Sequence, residues 1–410
     1  MRVLFFPREP YPTDRVRINV LFAQEMVARG HAVDFVMQAA SEDVREGLAD
    51  WNGRKLWLGP TDSRDGIKHR LRKHWLGLLH DLRALRLIRS KDYDLVIVSD
   101  KFLFGTISVL VARWRKVPFI FWLTFPYPEL DIYGAKVRTA RYPAITRIRG
   151  MISGAALYRW ILPRSAWVFV QSSRMAREVA AQGVDPSKMS PILTGFGLKD
   201  ISFATVHAHT GTRTMAYLGT LSADRRLEVL VDALSELRRG GLDVRLLLIG
   251  HADRERDRKL LEDRAHALGV AESLEITGFM PQREALQRLA GADVALSPIV
   301  RSPIYDVGSP TKLIEYLALG VPVVANDHPE QREILDQSRA GVCVPWGGRY
   351  FARGVRWLLA RPQEELQEMS ERGRRWVETH RTYRVIADDV EERCLKVIER
   401  SRQVCCRGAR

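Results

Sequence analysis

The strongest constraint on this chain is a rhythm that occurs twice: a short apolar run, a turn, a helix-compatible stretch, then another apolar run. The first series holds Val3–Phe6, a helix over Asn19–Arg29 closed by Gly30, Ala32–Met37, Leu95–Val98, a helix over Thr106–Trp114, Phe119–Trp122, Trp167–Val170 and a helix over Ser173–Gln182. A second series restarts with Met215–Leu218, a helix over Leu227–Arg239, Val244–Ile249, Leu274–Thr277, a helix over Arg283–Ala290 and Val294–Ser297. Strands alternating with helices in this way argue for α/β architecture with two doubly wound parallel sheets. The segment from Lys199 to Thr214 follows neither period, so a linker is expected there. The expected organisation is an N-terminal Rossmann-like domain over residues 1–200, a linker over 201–214, a C-terminal Rossmann-like domain over 215–380, a helix over 381–400 and a disordered tail over 401–410.

One stretch carries a chemical signature. In Gly308-Ser309-Pro310-Thr311-Lys312-Leu313-Ile314-Glu315-Tyr316-Leu317-Ala318-Leu319-Gly320, Ser309 suits an N-cap, Pro310 suits the first helical position, and Gly320 followed by Pro322 ends the helix. Thr311, Lys312 and Glu315 then share one face, opposite Leu313, Ile314, Leu317 and Ala318. A helix start offers unpaired N–H groups and partial positive charge, and Lys312 adds a full charge, which suits a diphosphate. Glu315, one turn deeper, is suited to accept hydrogen bonds from two sugar hydroxyls. A capped helix with a solvated Lys and Glu at i,i+3 is the plainer alternative.

With 410 residues, 46% of them hydrophobic, the chain can build two or three cores. No apolar run reaches the roughly 18 to 20 residues that span a bilayer. The apolar start is only Val3–Phe6, stopped at Pro7, so it is expected to be a strand and not a signal peptide. Cys343, Cys394, Cys405 and Cys406 lack metal-ligand spacing and are expected as reduced thiols in the cytoplasm. The net charge of +15 is uneven. Residues 1–200 carry 32 Lys and Arg against 19 Asp and Glu, whereas residues 201–410 carry 32 against 30. A basic first half predicts an anionic partner: a membrane leaflet, a phosphorylated substrate or nucleic acid.

Together the two halves, the linker and the helical C-terminus resemble the GT-B glycosyltransferases, specifically the large family 4 of retaining enzymes. The resemblance runs from Met1 to about Arg400. Ala28-Arg29-Gly30-His31-Ala32-Val33 looks like that family's turn between first helix and second strand, and Tyr217-Leu218-Gly219-Thr220-Leu221 like the loop opening its C-terminal domain. Leu248-Ile249-Gly250, Thr277-Gly278-Phe279-Met280-Pro281 and Ala292–Pro298 match the run-up to the donor motif, which Gly308–Val324 resembles.

The resemblance implies two Rossmann-like domains facing a cleft, with the C-terminal helix crossing back to pack toward the N-terminal domain. It implies a UDP- or GDP-sugar donor held by the C-terminal domain, and an acceptor hydroxyl, on a lipid-linked or cell-envelope glycan, held by the N-terminal one. Retention of anomeric configuration is implied as well. Carried over residue by residue, Arg225 and Lys312 would stabilise the leaving diphosphate, and Gly219, Thr220, Gly250, Ser309, Pro310, Thr311 and Glu315 would bind the donor. No cofactor or metal is required by this scheme, since the cations and the helix start carry the electrostatic task.

Several positions depart from the family pattern. Val307 stands where the first glutamate of a pair would bind the donor sugar, with Asp306 one residue early as a substitute. The first N-terminal loop has no glycine pair but carries Arg8, Arg15 and Arg17, of which Arg15 and Arg17 are candidates for an acceptor or phosphate. The histidine often found after the fourth N-terminal strand is replaced in Leu123-Thr124-Phe125-Pro126-Tyr127.

The basic stretches His69–Leu79 and Arg138–Arg164 mix cations with Trp, Tyr, Ile and Leu, as interfacial helices do. They predict peripheral docking on the anionic inner membrane face. A nucleic-acid binder would set its aromatics on a sheet platform, so no nucleic-acid partner is expected. A non-catalytic sugar-nucleotide-binding relative and a GT-B epimerase are the alternatives within the same frame.

Overall fold

Strands that read as unbroken apolar runs lie at the centre of parallel sheets, where helices cover both faces and no position meets water. The computed structural model describes residues 1–13, 15–137, 140–197 and 211–407, with side chains as far as residue 403. The chain divides into two units, Met1–Leu193 with Tyr383–Arg410, and Thr194–Thr382.

The first unit contains β1 (Arg2–Phe6), β2 (Ala32–Gln38), β3 (Gly47–Trp51), β4 (Arg54–Gly59), β5 (Leu95–Ser99), β6 (Phe119–Leu123), β7 (Trp167–Val170) and β8 (Met189–Pro191). They form one sheet in the order β3-β4-β2-β1-β5-β6-β7-β8. β1 sets the centre, with Val3 opposite Val33 on one side and Leu95 on the other. Every residue of β5 and β6 is buried.

Among the described residues of this sheet only the β3–β4 pair is antiparallel, and no expectation from the sequence covered it. Its turn is Asn52-Gly53 with φ of 55° and 74°, the two left-handed residues of a tight hairpin, so the dipeptide itself was the available signal. β3 lies at the edge and is mostly exposed, which weakened its apolar pattern.

The second unit contains β9 (Arg213–Leu218), β10 (Val244–Ile249), β11 (Leu274–Ile276), β12 (Val294–Ser297), β13 (Val323–Asn326) and β14 (Gly341–Val344). All are parallel, in the order β11-β10-β9-β12-β13-β14. Residues 201–210 of the expected linker lie outside the described residues. Its last part is corrected, because β9 already begins at Arg213. A helix over Glu255–Ala267, rich in charge and therefore weakly periodic, stands between β10 and β11.

The expected tail over 401–410 is also corrected. The last helix runs Tyr383–Arg407 without a break, and only residues 408–410 lie outside the described residues. It belongs to the first unit because Tyr383, Ile386, Ala387, Val390, Cys394, Val397 and Ile398 form one buried stripe in that unit's core, beside Phe5, Phe22 and Trp122. Its polar flank is pinned as well. Arg29 Nη1 donates to Asp388 at 2.7 Å and to Glu391 at 2.8 Å, and His31 Nε2 lies 2.7 Å from the other oxygen of Glu391.

Candidate functional site

In the second unit the carboxyl ends of three neighbouring strands are drawn together by backbone. Gly219 N–H donates to the Ile249 carbonyl at 2.9 Å, Leu221 N–H to the His251 carbonyl at 2.8 Å, and Gly250 pairs with Gly278. Both glycines adopt a backbone conformation that residues with a side chain rarely take. Gly219 and Gly250 have φ of 145° and 147°, and a Cβ on Gly250 would stand 2.1 Å from the Gly219 carbonyl oxygen. Ligands of open α/β sheets gather at such strand ends.

The Thr311–Leu319 helix approaches this point from below. Its fit is set by Tyr316, fully buried, whose hydroxyl accepts a 3.0 Å hydrogen bond from Leu218 N–H at the end of β9. Lys312 then lies directly under the first glycine loop. Its Nζ is 5.4 Å from the centre of the buried Tyr217 ring, and a Cβ on Gly219 would meet Lys312 Cε and Nζ at 2.5 Å. Burial pushes the Lys312 ammonium down, the nearby charge of Arg225 pushes it the same way, and Glu315 opposes both. Burial pushes the Glu315 carboxyl up, with Lys312 opposing. Arg225 sits in the turn Ala223–Arg225 after β9 and also counters the burial that raises the Tyr217 hydroxyl. Two cations, a carboxylate and two glycine loops thus converge on one spot, with Thr220 half-buried in the loop between them. Such a cluster holds more positive than negative charge in partly enclosed surroundings, an arrangement completed by an anion.

The remaining predicted residues fall in different places. Pro310, not Ser309, occupies the cap position, and the helix begins at exposed Thr311. Ser309 is therefore corrected as an N-cap. Its hydroxyl donates to Glu330 at 3.0 Å and accepts from Thr194 N–H at 3.3 Å. Asp306, the possible donor-sugar residue, is paired with Arg301, which donates to both its carboxylate oxygens at 2.7 and 3.0 Å. Val307 is buried at 4% exposure. The sequence reading passed over Tyr217, Tyr316 and Glu330, because an aromatic or acidic residue in an apolar stripe gives no local sign of what it meets.

The first unit has its own strand-end cluster. Asp100 follows β5 in a left-handed conformation with φ 53° and is buried. It accepts from Thr124 N–H at 3.0 Å and from the Thr124 hydroxyl, just after β6, where the resembled family often has a histidine. Burial pushes its carboxyl up to about 7, with the Thr124 hydrogen bonds opposing. Arg17 lies over Trp122, 5.9 Å from the ring centre, and its Nη1 has no hydrogen-bond partner among the described residues. Burial lowers its pKa, while the charges of Asp100 and Glu9 act to raise it. Arg8 stacks on Tyr127 at 4.0 Å. Arg15 is exposed at the start of the helical run, so of the two arginines only Arg17 points an unpaired nitrogen inward. No group of three or more side chains suited to hold a metal occurs among the described residues.

Known proteins share this two-sheet architecture. Residues 212–361 match the family described as glycosyl transferases group 1, and residues 19–195 match the glycosyl transferase 4-like domain. The fold is similar to that of sucrose-phosphate synthase from Thermosynechococcus elongatus, with a TM-score of 0.72 at 15% identity over 96% of this chain and 98% of that one. The chain belongs to the group 1 glycosyltransferases of GT-B fold. It is 25% identical over 252 residues to the putative colanic acid biosynthesis glycosyltransferase WcaL of Salmonella typhimurium, covering 60% of this chain and 58% of that protein. It is 31% identical over 173 residues to the GDP-mannose-dependent alpha-(1-6)-phosphatidylinositol dimannoside mannosyltransferase of Mycobacterium tuberculosis, covering 41% and 42%. The chain spans about half the length of the curated relatives it matches.

Proposed function

We propose that this glycosyltransferase moves a sugar from a UDP- or GDP-sugar to an acceptor hydroxyl on a lipid-linked or cell-envelope glycan, retaining the anomeric configuration. The observation that carries the reading is Lys312, enclosed beneath Gly219 with Arg225 beside it at the joined ends of three strands. In the reaction the bond between the anomeric carbon and the diphosphate oxygen breaks, a bond to the acceptor oxygen forms, and the acceptor proton is released. Negative charge grows on the departing diphosphate, and Lys312 and Arg225 are the groups that meet it. Glu315 accepts from sugar hydroxyls of the nucleotide, and no metal is needed to balance the charge. A GDP-sugar donor and a lipid-borne acceptor are both supported by the name of the mycobacterial relative.

The membrane part of the proposal rests on exposed helix faces. The Pro143–Ala155 helix exposes Ile145, Ile148, Met151 and Ile152, and the Ile67–Ala84 helix exposes Ile67, Leu71 and Trp75. No acidic residue occurs between Ile132 and Arg177. Apolar side chains amid cations suit an anionic leaflet. Among the described residues no helix is long and apolar enough to cross a membrane.

The occupied carboxylate of Asp306 and the burial of Val307 favour one second reading, a sugar-nucleotide binder without transfer activity. Binding of UDP, GDP and their sugars is measured by calorimetry on the full chain, alongside hydrolysis of the same sugars without acceptor. Nucleotide binding weakened in Lys312→Ala and Glu315→Ala supports the donor site, and unchanged affinity in both variants rejects it. Binding without any turnover selects the second reading.

A further inference from the structure

One carboxylate oxygen gathers three remote parts of the second unit. Glu330 Oε1 accepts from the Ser309 hydroxyl at 3.0 Å and from Arg381 Nη2 at 2.9 Å. The same Ser309 hydroxyl accepts from the N–H of Thr194, the first residue of the unit. Arg381 stands next to Thr382, the last residue of the unit, and its carbonyl accepts from Phe196 N–H at 2.8 Å, while Phe196 and Thr382 pair as a β-bridge. The side chains of Arg381 and Glu330 are only 7% and 8% exposed. Their second polar atoms, Arg381 Nη1 and Glu330 Oε2, have no hydrogen-bond partner among the described residues.

A buried ion pair with two unsatisfied atoms is a poor way to gain stability, because desolvation offsets most of its attraction. Its position suggests another use. Ser309 is three residues before Lys312, separated from it by Pro310, whose fixed φ makes this a stiff connection. Tyr316 fixes the helix at its deep end, and Ser309 is the anchored point just before its first turn, the turn that carries Lys312.

Resting on the donor site proposed above, we propose that Glu330 and Arg381 are positioning residues that act through Ser309 to hold Lys312 at the height of the leaving diphosphate. The pair also ties this position to the two points where the chain enters and leaves the unit.

The test is a double-mutant cycle on the full chain, reading UDP and GDP affinity, kcat and KM for donor hydrolysis, and melting temperature. Glu330→Gln keeps the shape and removes the charge, and Ser309→Ala removes only the hydroxyl, so one informative variant folds even if the other does not. Each is expected to weaken nucleotide affinity about tenfold, to lower kcat more than it raises KM, and to add little in a Lys312→Ala background, since both act through that ammonium. Arg381→Lys should recover part of what Arg381→Ala loses. An effect of equal size with and without Lys312, or a lowered melting temperature with unchanged nucleotide affinity, overturns the positioning role. If Lys312→Ala weakens binding but neither Glu330→Gln nor Ser309→Ala does, the inference fails while the donor site stands. Wild-type chain that binds neither nucleotide overturns both.

Discussion

The ammonium of Lys312 faces the ring of Tyr217 from 5.4 Å, inside a shell closed above by a glycine that has no room for a methyl group. The contact is a cation over an aromatic face in partly desolvated surroundings, which keeps the charge in place without neutralising it.

Gly219→Ala tests that closure. The new Cβ would collide with Lys312 and would sit at a φ of 145°, disfavoured for any L side chain. The expected outcome is a folded protein whose nucleotide affinity falls at least roughly tenfold, read by calorimetry, because Lys312 must move aside to accommodate the methyl.

Turnover reports the cations separately. Arg225→Ala is expected to lower kcat by on the order of 100-fold, in the range seen when one donor to a developing anion is removed. Arg225→Lys should recover only part, since an ammonium cannot reproduce the planar fork on a phosphate. Equal kcat in Arg225→Ala and wild type would remove Arg225 from the leaving-group role.

Asp100 gives a dependence on pH. Its carboxyl is raised from an ordinary 3.8 to about 7, so between those values the folded chain keeps a proton that the unfolded chain has released. Folding stability from this group is therefore fully present at low pH and declines as pH rises from about 4 to about 7. Asp100→Asn cannot titrate and tolerates the left-handed backbone. Melting curves of wild type and variant across this window should show the variant gaining on wild type as pH rises, and parallel curves would contradict the raised carboxyl.

The last helix is open to a similar test. Val390 is buried in the stripe that completes the first unit's core. Val390→Asp places a carboxylate there with no partner and is expected to cost about 3 kcal/mol or more, read by denaturant unfolding. Arg29→Ala, which removes only the flanking ion pairs, should cost less, on the order of 1 kcal/mol.

Docking to lipid can be read by vesicle sedimentation. Replacing Ile145, Ile148 and Ile152 together by Ser should reduce binding to anionic vesicles several-fold, and added salt should weaken the wild type toward the same level. Equal binding to neutral and anionic vesicles would reject the electrostatic part.

Much of the fold was legible because the interior strands hold near-continuous apolar runs, Phe119–Leu123 throughout its length, as a doubly covered parallel sheet requires. Lys312 and Glu315 were legible as a shared helix face because that relation is local. What could not be read was any partner far along the chain. Ser309 looks like a helix cap over four residues, yet its hydroxyl is claimed by Glu330, 21 residues on. Asp306 looks available as a sugar ligand until Arg301 is seen to hold both its oxygens. Asp100 carries no motif at all, and its importance comes from being buried beside Thr124, which follows another strand. The tail was misjudged because charge and terminal position outweighed helix propensity that runs unbroken to Arg407.

The return of the chain after Thr382 has a consequence for synthesis. The second unit is contiguous, so all of it has been translated once residue 382 is made, whereas the first unit lacks its closing helix until residues 383–398 emerge. Made from the N-terminus, the half that begins first is finished last. During that interval the surface that will receive Ile386, Val390 and Val397 is bare, and a ribosome stalled within the second unit would hold a first half that exposes apolar surface to chaperones.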